Sequence, residues 1–281
     1  MGDNAANDGE FRKKIWEGTI PIVFNLASNE VTTLEKPNPF FMNISRSTYF
    51  TLVTDPIKQY FQSSGPAIND EMWFETDSRI PLKWHVPVGV LYDLYGNEEL
   101  PWSLIVHFQG FPTTRLLRCP NIQTIQSHFN NSVKEANYMK HGDIKKINTL
   151  SLQESENLWQ GLINNGFSMF WKSNEVLTAD KEHMKSVPVR VCRQDRPFTQ
   201  EPVPAIDAVT GQEMTLGAYL KPKFPELIKE DAATKGNYVT DCAVIVQGIR
   251  PPLSTPLVWL ANNLAHPDNF VYISLVPHQN K

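Results

Sequence analysis

Seventeen lysines, seven histidines and three cysteines are among the side chains of this 281-residue chain that could serve as nucleophiles, proton carriers or metal ligands. The histidines, His85, His107, His128, His141, His183, His266 and His278, have no His-Glu-x-x-His or other spacing that would bring two imidazoles to one metal ion. No phosphate-cradling glycine loop and no Gly-x-Ser-x-Gly elbow is present. Cys119, Cys192 and Cys242 are odd in number, far apart and without a Cys-x-x-Cys pair, which argues against a disulfide framework and for a reducing compartment. A cysteine nucleophile served by a distant histidine is a spatial arrangement that spacing leaves open. Cys119, between Arg118 and Pro120, reads first as a small packed thiol. A metal or nucleotide enzyme is disfavoured and no cofactor is expected. Among the lysines, spacing singles out none.

The composition restricts partners in the same way. Net charge is −4, and the 26 basic and 30 acidic residues are interspersed, so no polycationic surface for nucleic acid is expected. Met1 to Glu10 is small, polar and acidic, unlike a signal peptide, and reads as a disordered leader. No run approaches the ~18 consecutive apolar residues of a membrane span. The expectation is a soluble cytoplasmic protein.

The elements that would carry these residues can be read from periodicity. Phe11 to Gly18 reads as a short amphipathic turn or helix and Ile20 to Leu26 as a buried strand. Ser47 to Thr54 is β-branched and aromatic, and Asp55-Pro56 opens a helix through Phe61. Met72 to Glu75 and Leu82 to His85 are strand candidates, Val88 to Leu94 has helical spacing, and Pro101 to Phe108 is a strong strand. From Asn121 to Lys140 there is neither Gly nor Pro, and Ile122, Ile125, Phe129, Val133 and Ala136 mark one amphipathic helix with Asn121 as its cap. Leu150 to Ile163 and Phe167 to Leu177 extend the helical middle. Val187 to Cys192 restores strand character, Thr215 to Leu220 reads as a capped short helix, and Ala243 to Gln247 and Phe270 to Val276 read as strands. Ser63 to Asp70 and Ile228 to Tyr238 are polar and turn-rich.

An internal echo links the two ends. Pro87 is followed by Leu91 and Leu94, then Pro101 by Leu104 and Val106. Pro256 is followed by Leu260 and Leu264, then Pro267 by Phe270 and Ile273. Each set reads as a helical turn feeding a last strand, as at the end of a ubiquitin-like β-grasp domain. The spacings differ by a residue, so chance recurrence is the alternative.

Several longer blocks resemble the autophagy protein five family: Ile15 to Pro21, Tyr49 to Asp55, Ile80 to Gly89, Val133-Lys134-Glu135-Ala136, Thr255 to Leu264 and His266 to Phe270. They run in order from about Phe11 to Pro277. The resemblance implies an α+β fold, two ubiquitin-like β-grasp domains flanking a helix-rich domain. The expected divisions are a leader at 1–10, an N-terminal helix with the first ubiquitin-like domain at 11–118, the helix-rich domain at 119–186 and the second ubiquitin-like domain at 187–281. It also implies a non-enzymatic acceptor, to which the ubiquitin-like modifier autophagy protein 12 is joined by an isopeptide bond. The conjugate, with the coiled-coil protein autophagy protein 16 and the transfer enzymes of autophagy proteins 12 and 8, would act like an E3 ligase. Its product would be an autophagy-eight-family protein joined to phosphatidylethanolamine on the isolation membrane. The alternative is a ubiquitin-like interaction module that is never modified.

The lysine matching the family's acceptor is Lys134. At about 100° per residue it points roughly 140° from the mean direction of the helix's apolar residues, so its amine should face solvent. Attack on a thioester needs that amine deprotonated, against a reference pKa of ~10.4, and the charging enzyme is expected to supply most of the activation. Asn137 stands where the family pattern usually has Asp, and His266 where it has Tyr. Asp268 and Asn269 read as turn formers before the last strand. For the coiled-coil partner the resemblance implies a groove formed by the N-terminal helix and both ubiquitin-like domains, with Trp16 and Arg46 as contributors. Trp16 reads equally as a core aromatic stapling the leader to the first sheet.

Overall fold

A computed structural model describes residues 2–66, 70–97, 99–178, 184–230 and 238–278. The chain divides into two compact units: residues 17–128, and residues 1–16 with 129–281. The N-terminal helix, α1 (Gly2–Trp16), therefore groups with the later part of the chain and not, as expected, with the first ubiquitin-like domain. It also replaces the disordered leader expected over 1–10. No proline interrupts it, Lys13 and Lys14 lie in the last turn where the macrodipole favours cations, and Lys14 pairs with Glu10 at 3.2 Å. Such terms are small, and packing of Phe11, Ile15 and Trp16 supplies the rest.

In the unit 17–128, β1 (Thr19–Leu26) buries every second residue, Ile20, Ile22, Phe24 and Leu26, which is the period-two signature of a half-covered strand. It pairs antiparallel with β2 (Phe40–Ser45) and parallel with β4 (Trp102–His107), and β3 (Trp73–Thr76) closes the order β2-β1-β4-β3. Ile57 and Phe61 of α2 (Thr54–Phe61) and Val88, Leu91 and Leu94 of α3 (Val88–Tyr95) are buried. Leu82 to His85 is not a strand. Pro81 bridges Glu75, the Leu82 amide donates to the Phe74 carbonyl, and the chain then turns toward Pro87. The stretch rich in β-branched and aromatic residues, Ser47 to Thr54, is a turn and a 3-10 segment, while the strand lies just before it.

The long helix α4 (Ile122–His141) is capped by Asn121, whose Oδ1 accepts from the Thr124 amide at 3.0 Å, and the division between units falls inside it. Beyond it lie α5 (Lys145–Thr149), α6 (Leu152–Ile163) and α7 (Phe167–Thr178), with a Ser151/Glu154 capping box starting α6. At Gly161 an added Cβ would meet the Cβ of Phe170 at 2.7 Å and its amide nitrogen at 2.8 Å, so only glycine lets α6 approach α7 this closely.

The second sheet contains β5 (Ser186–Arg193), β6 (Thr199–Pro204), β9 (Cys242–Ile245) and β10 (Val271–Pro277), in the order β6-β5-β10-β9 with β5 and β10 parallel. Leu216, Tyr219 and Leu220 of the short helix α8 (Leu216–Leu220) and Leu257, Leu260 and Ala261 of α9 (Leu257–Asn263) lie in its core, and β7 (Ile228–Glu230) and β8 (Tyr238–Thr240) form a separate ribbon. Phe11 and Ile15 of α1 pack against the same core, Phe11 lying 5.6 Å from the Trp259 ring. The strand order of the first sheet is thus repeated, and Pro87 and Pro256 stand at equivalent helix starts. His183, residues 67–69 of the first turn-rich segment and 231–237 of the second lie outside the described residues.

Candidate functional site

The alternation of faces along α4 decides what its side chains can do. Val133, Ala136, Asn137 and Lys140 are buried, while Asn131, Lys134 and Tyr138 are exposed, Tyr138 by 57%. The ammonium of Lys134 forms no ion pair or hydrogen bond with the described residues. Its neighbours are fixed. The Ser132 hydroxyl accepts from Nη2 of Arg190 at 3.5 Å, and Glu135 Oε1 accepts from Gln200 Nε2 at 2.7 Å, with its Oε2 3.7 Å from Arg190 Nη2. Glu135, the acidic residue next to Lys134 in the chain, is thus turned toward the second sheet. Asn137 is buried and does not share the exposed strip.

Further along α4, Lys140 is 1% exposed. Its Nζ donates to Asn269 Oδ1 at 2.8 Å, and Asn269 Nδ2 donates to Asn174 Oδ1 on α7 at 2.8 Å. Burial first, then the charge of Lys146, pushes the amine down to about 7, against the opposing pull of Asp268. Asp268 and Asn269 form the expected turn. The Phe270 amide donates to Asp268 Oδ1 at 3.1 Å, and Asn269 takes the left-handed φ of +68° that Asn tolerates. Both also have a duty sequence reading missed, Asp268 binding Arg190 at 3.0 Å and Asn269 binding Lys140. The signals were a lone arginine among the valines of β5 and a lysine seven residues past Val133 and four past Ala136, on the apolar face. His266 is buried with its ring edge-on to Tyr272, centroids 5.0 Å apart.

Neither residue expected to touch the coiled-coil partner offers its side chain freely. Trp16 is 5% exposed, its ring 4.8 Å from Phe170 and 6.1 Å from Phe167, and its Nε1 donates to the Asn165 carbonyl at 3.3 Å. It is a core aromatic, but its staple is to α7 and not to the first sheet. Arg46 pairs with Asp93 and donates to the Gly89 carbonyl at 3.2 Å. An added Cβ at Gly89 would lie 2.8 Å from the Arg46 carbonyl oxygen, so α3 rests directly on the turn after β2.

In the unit 17–128 an open cavity of about 700 Å³ is lined by Glu71, Trp73, Trp84, Arg118 and Cys119 among others. Burial, then the neighbouring Glu71, pushes the Cys119 thiol up to about 11, and burial does the same for Cys242. Both are therefore thiols at neutral pH, the less nucleophilic form. Among the described residues no group of three or more His, Cys, Asp and Glu side chains is arranged to hold a metal ion, and no helix is long and apolar enough to cross a membrane.

Three family models match in succession: the UblA domain of autophagy protein ATG5 over residues 15–108, its alpha-helical bundle region over 122–179 and its UblB domain over 186–275. Similar curated proteins include autophagy protein 5 of Drosophila melanogaster, 34% identical over 96% of this chain and 98% of that protein. Autophagy protein 5 of Dictyostelium discoideum is 30% identical over 97% and 96%. The crystal structure of Kluyveromyces marxianus Atg5 superposes with a TM-score of 0.79 over 95% of this chain and 99% of that one, at 22% identity, a likeness of fold. With two sheets of one strand order that come before and after a helical region along the chain, and these matches along nearly its whole length, the chain belongs to the autophagy protein 5 family and has a role in autophagy.

Proposed function

We propose that this chain is the isopeptide acceptor of a ubiquitin-like modifier, autophagy protein 12, and that Lys134 carries the bond. The observation supporting this reading is a lysine amine free of partners among the described residues, on a helix turn whose flanking side chains are fastened. Acyl transfer needs that combination: an amine that a charged enzyme can reach, on a backbone that does not wander. The amine attacks the thioester carbonyl, the C–S bond breaks as the C–N bond forms, and the amine proton leaves to solvent or the transfer enzyme. The protonated thiols Cys119 and Cys242 fit an acceptor whose attacking group is the Lys134 amine.

The conjugate then works with autophagy protein 16 and the transfer enzymes of autophagy proteins 12 and 8. It acts like an E3 ligase in lipidation of autophagy-eight-family proteins, peripherally on the cytoplasmic side of the isolation membrane. Trp16 and Arg46 serve partner binding from beneath, the first by holding α1 and the second by holding α3, since both side chains are spent within their own units.

The test is reconstitution of the chain with the modifier, its activating and transfer enzymes and ATP, read by intact mass. One adduct on the parent and none on Lys134→Arg is the expected result. An adduct that persists moves the acceptor elsewhere. No adduct on the parent beside a working control acceptor leaves the unmodified interaction module.

A further inference from the structure

Arg190 sits in the middle of β5, opposite Gln200 of β6 and Tyr272 of β10, and is 4% exposed. Its Nε donates to Gln200 Oε1 at 2.7 Å, and its Nη1 donates to Asp268 Oδ2 at 3.0 Å and to the Tyr272 hydroxyl. Its guanidinium carbon lies 3.7 Å from the centroid of the Phe270 ring. A buried arginine needs a counter-ion, and the wholly buried Asp268 is one. The remaining arm has another destination. Nη2 turns to α4, to Ser132 and Glu135, the residues two before and one after Lys134. Gln200 closes the figure by donating to the other oxygen of Glu135.

Two points of attachment on one helix turn fix both its height and its rotation about the helix axis. The Cα–Cβ bond of Lys134, which leaves the same turn, is thereby aimed. We propose that Arg190 is a positioning residue for transfer to Lys134, clamping the Ser132–Glu135 turn to the second sheet with Gln200 and Glu135 as the jaws. Glu135 serves as a tie and not as a base. The inference rests on Lys134 being the acceptor.

The clamp can be opened from its exposed end, because the Glu135 side chain is 48% exposed and its removal leaves the Arg190–Asp268 pair in place. Single-turnover transfer from the modifier's charged transfer enzyme to the full chain is measured at rising chain concentration for the parent, Glu135→Ala, Arg190→Lys and Lys134→Arg, with thermal midpoints recorded alongside. Misplacement of a reacting group is felt in the maximal rate, so Glu135→Ala should lower that rate about tenfold at unchanged half-saturation and midpoint. Arg190→Lys should lower the maximal rate by the same factor; if that protein does not fold, Glu135→Ala decides alone. A folded Glu135→Ala that transfers at the parent's maximal rate overturns the clamp, as does a loss confined to half-saturation, which marks Glu135 as a docking contact. An adduct surviving in Lys134→Arg overturns the acceptor assignment and the clamp with it. Loss in Lys134→Arg beside a parent-like Glu135→Ala overturns the clamp only.

Discussion

Two lysines six residues apart on α4 meet opposite fates. Lys134 is exposed and has no partner among the described residues, whereas Lys140 has exchanged hydration for a hydrogen bond to Asn269. With the folded value of Lys140 near 7 and the ordinary value at 10.5, the unfolded chain holds the proton between those pH values and the folded chain does not. Stability must therefore rise with pH across that window, and below about 7 the cost of burying the charge is fully expressed. Lys140→Met, which keeps the aliphatic stem and deletes the amine, should flatten this slope. In urea unfolding at pH 7 and pH 9.5, its stability relative to the parent should fall by about 1 kcal/mol per pH unit on going up. A parallel pair of curves would show that the amine is charged in place. What was legible at this scale was direction and not chemistry. Helical spacing sent Lys134 outward and, applied six residues further, puts Lys140 inward, but the acceptor role came from resemblance, and Arg190 from neither.

Elements whose apolar period is long were legible: α4, α6 and α7 stand within a residue or two of their expected spans. Of the edge strands, β3 and β9 were legible and β2 and β6 were not. In β2 only Ile44 is buried, and β6 contains Pro202 and Pro204, because an edge strand need not alternate cleanly and tolerates proline where no partner follows. The mistaken strand at Leu82 to His85 has the reverse cause, since apolar residues there close a turn over β3. Contacts between elements were invisible in sequence, and Gly161 shows their weight. An alanine in a helix interior ordinarily gains about 0.5–1 kcal/mol over glycine, but overpacking against the backbone of Phe170 costs about 1–3 kcal/mol. Gly161→Ala should therefore destabilise the unit that holds α6 and α7 by about 1–2 kcal/mol in denaturant unfolding. A stabilised variant would mean that the two helices part without cost.

On the scale of the whole chain, the repeat of strand order was announced by Pro87 and Pro256, while the grouping of α1 was not. Sequence proximity suggested the first sheet, but the partners of Phe11, Ile15 and Trp16 lie more than a hundred residues away, where no local pattern can point. One unit is thus assembled from both ends of the chain. Trp16→Ala should cost that unit about 3–5 kcal/mol, raising amide exchange in α7 and leaving the core of residues 17–128 unchanged. Equal acceleration in β1 and β4 would contradict the division.

In each sheet the first and last strands of the module lie side by side and parallel, Ile22 to Leu26 against Trp102 to Val106, and Val189 to Arg193 against Val271 to Leu275. Tension applied at the two ends of either module therefore pulls these strands past each other lengthwise. The ladder is loaded in shear, and its hydrogen bonds must yield together, where strands peeled apart would release them one by one. A pull along the chain therefore meets each β-grasp module in shear and not as an unzipping ladder.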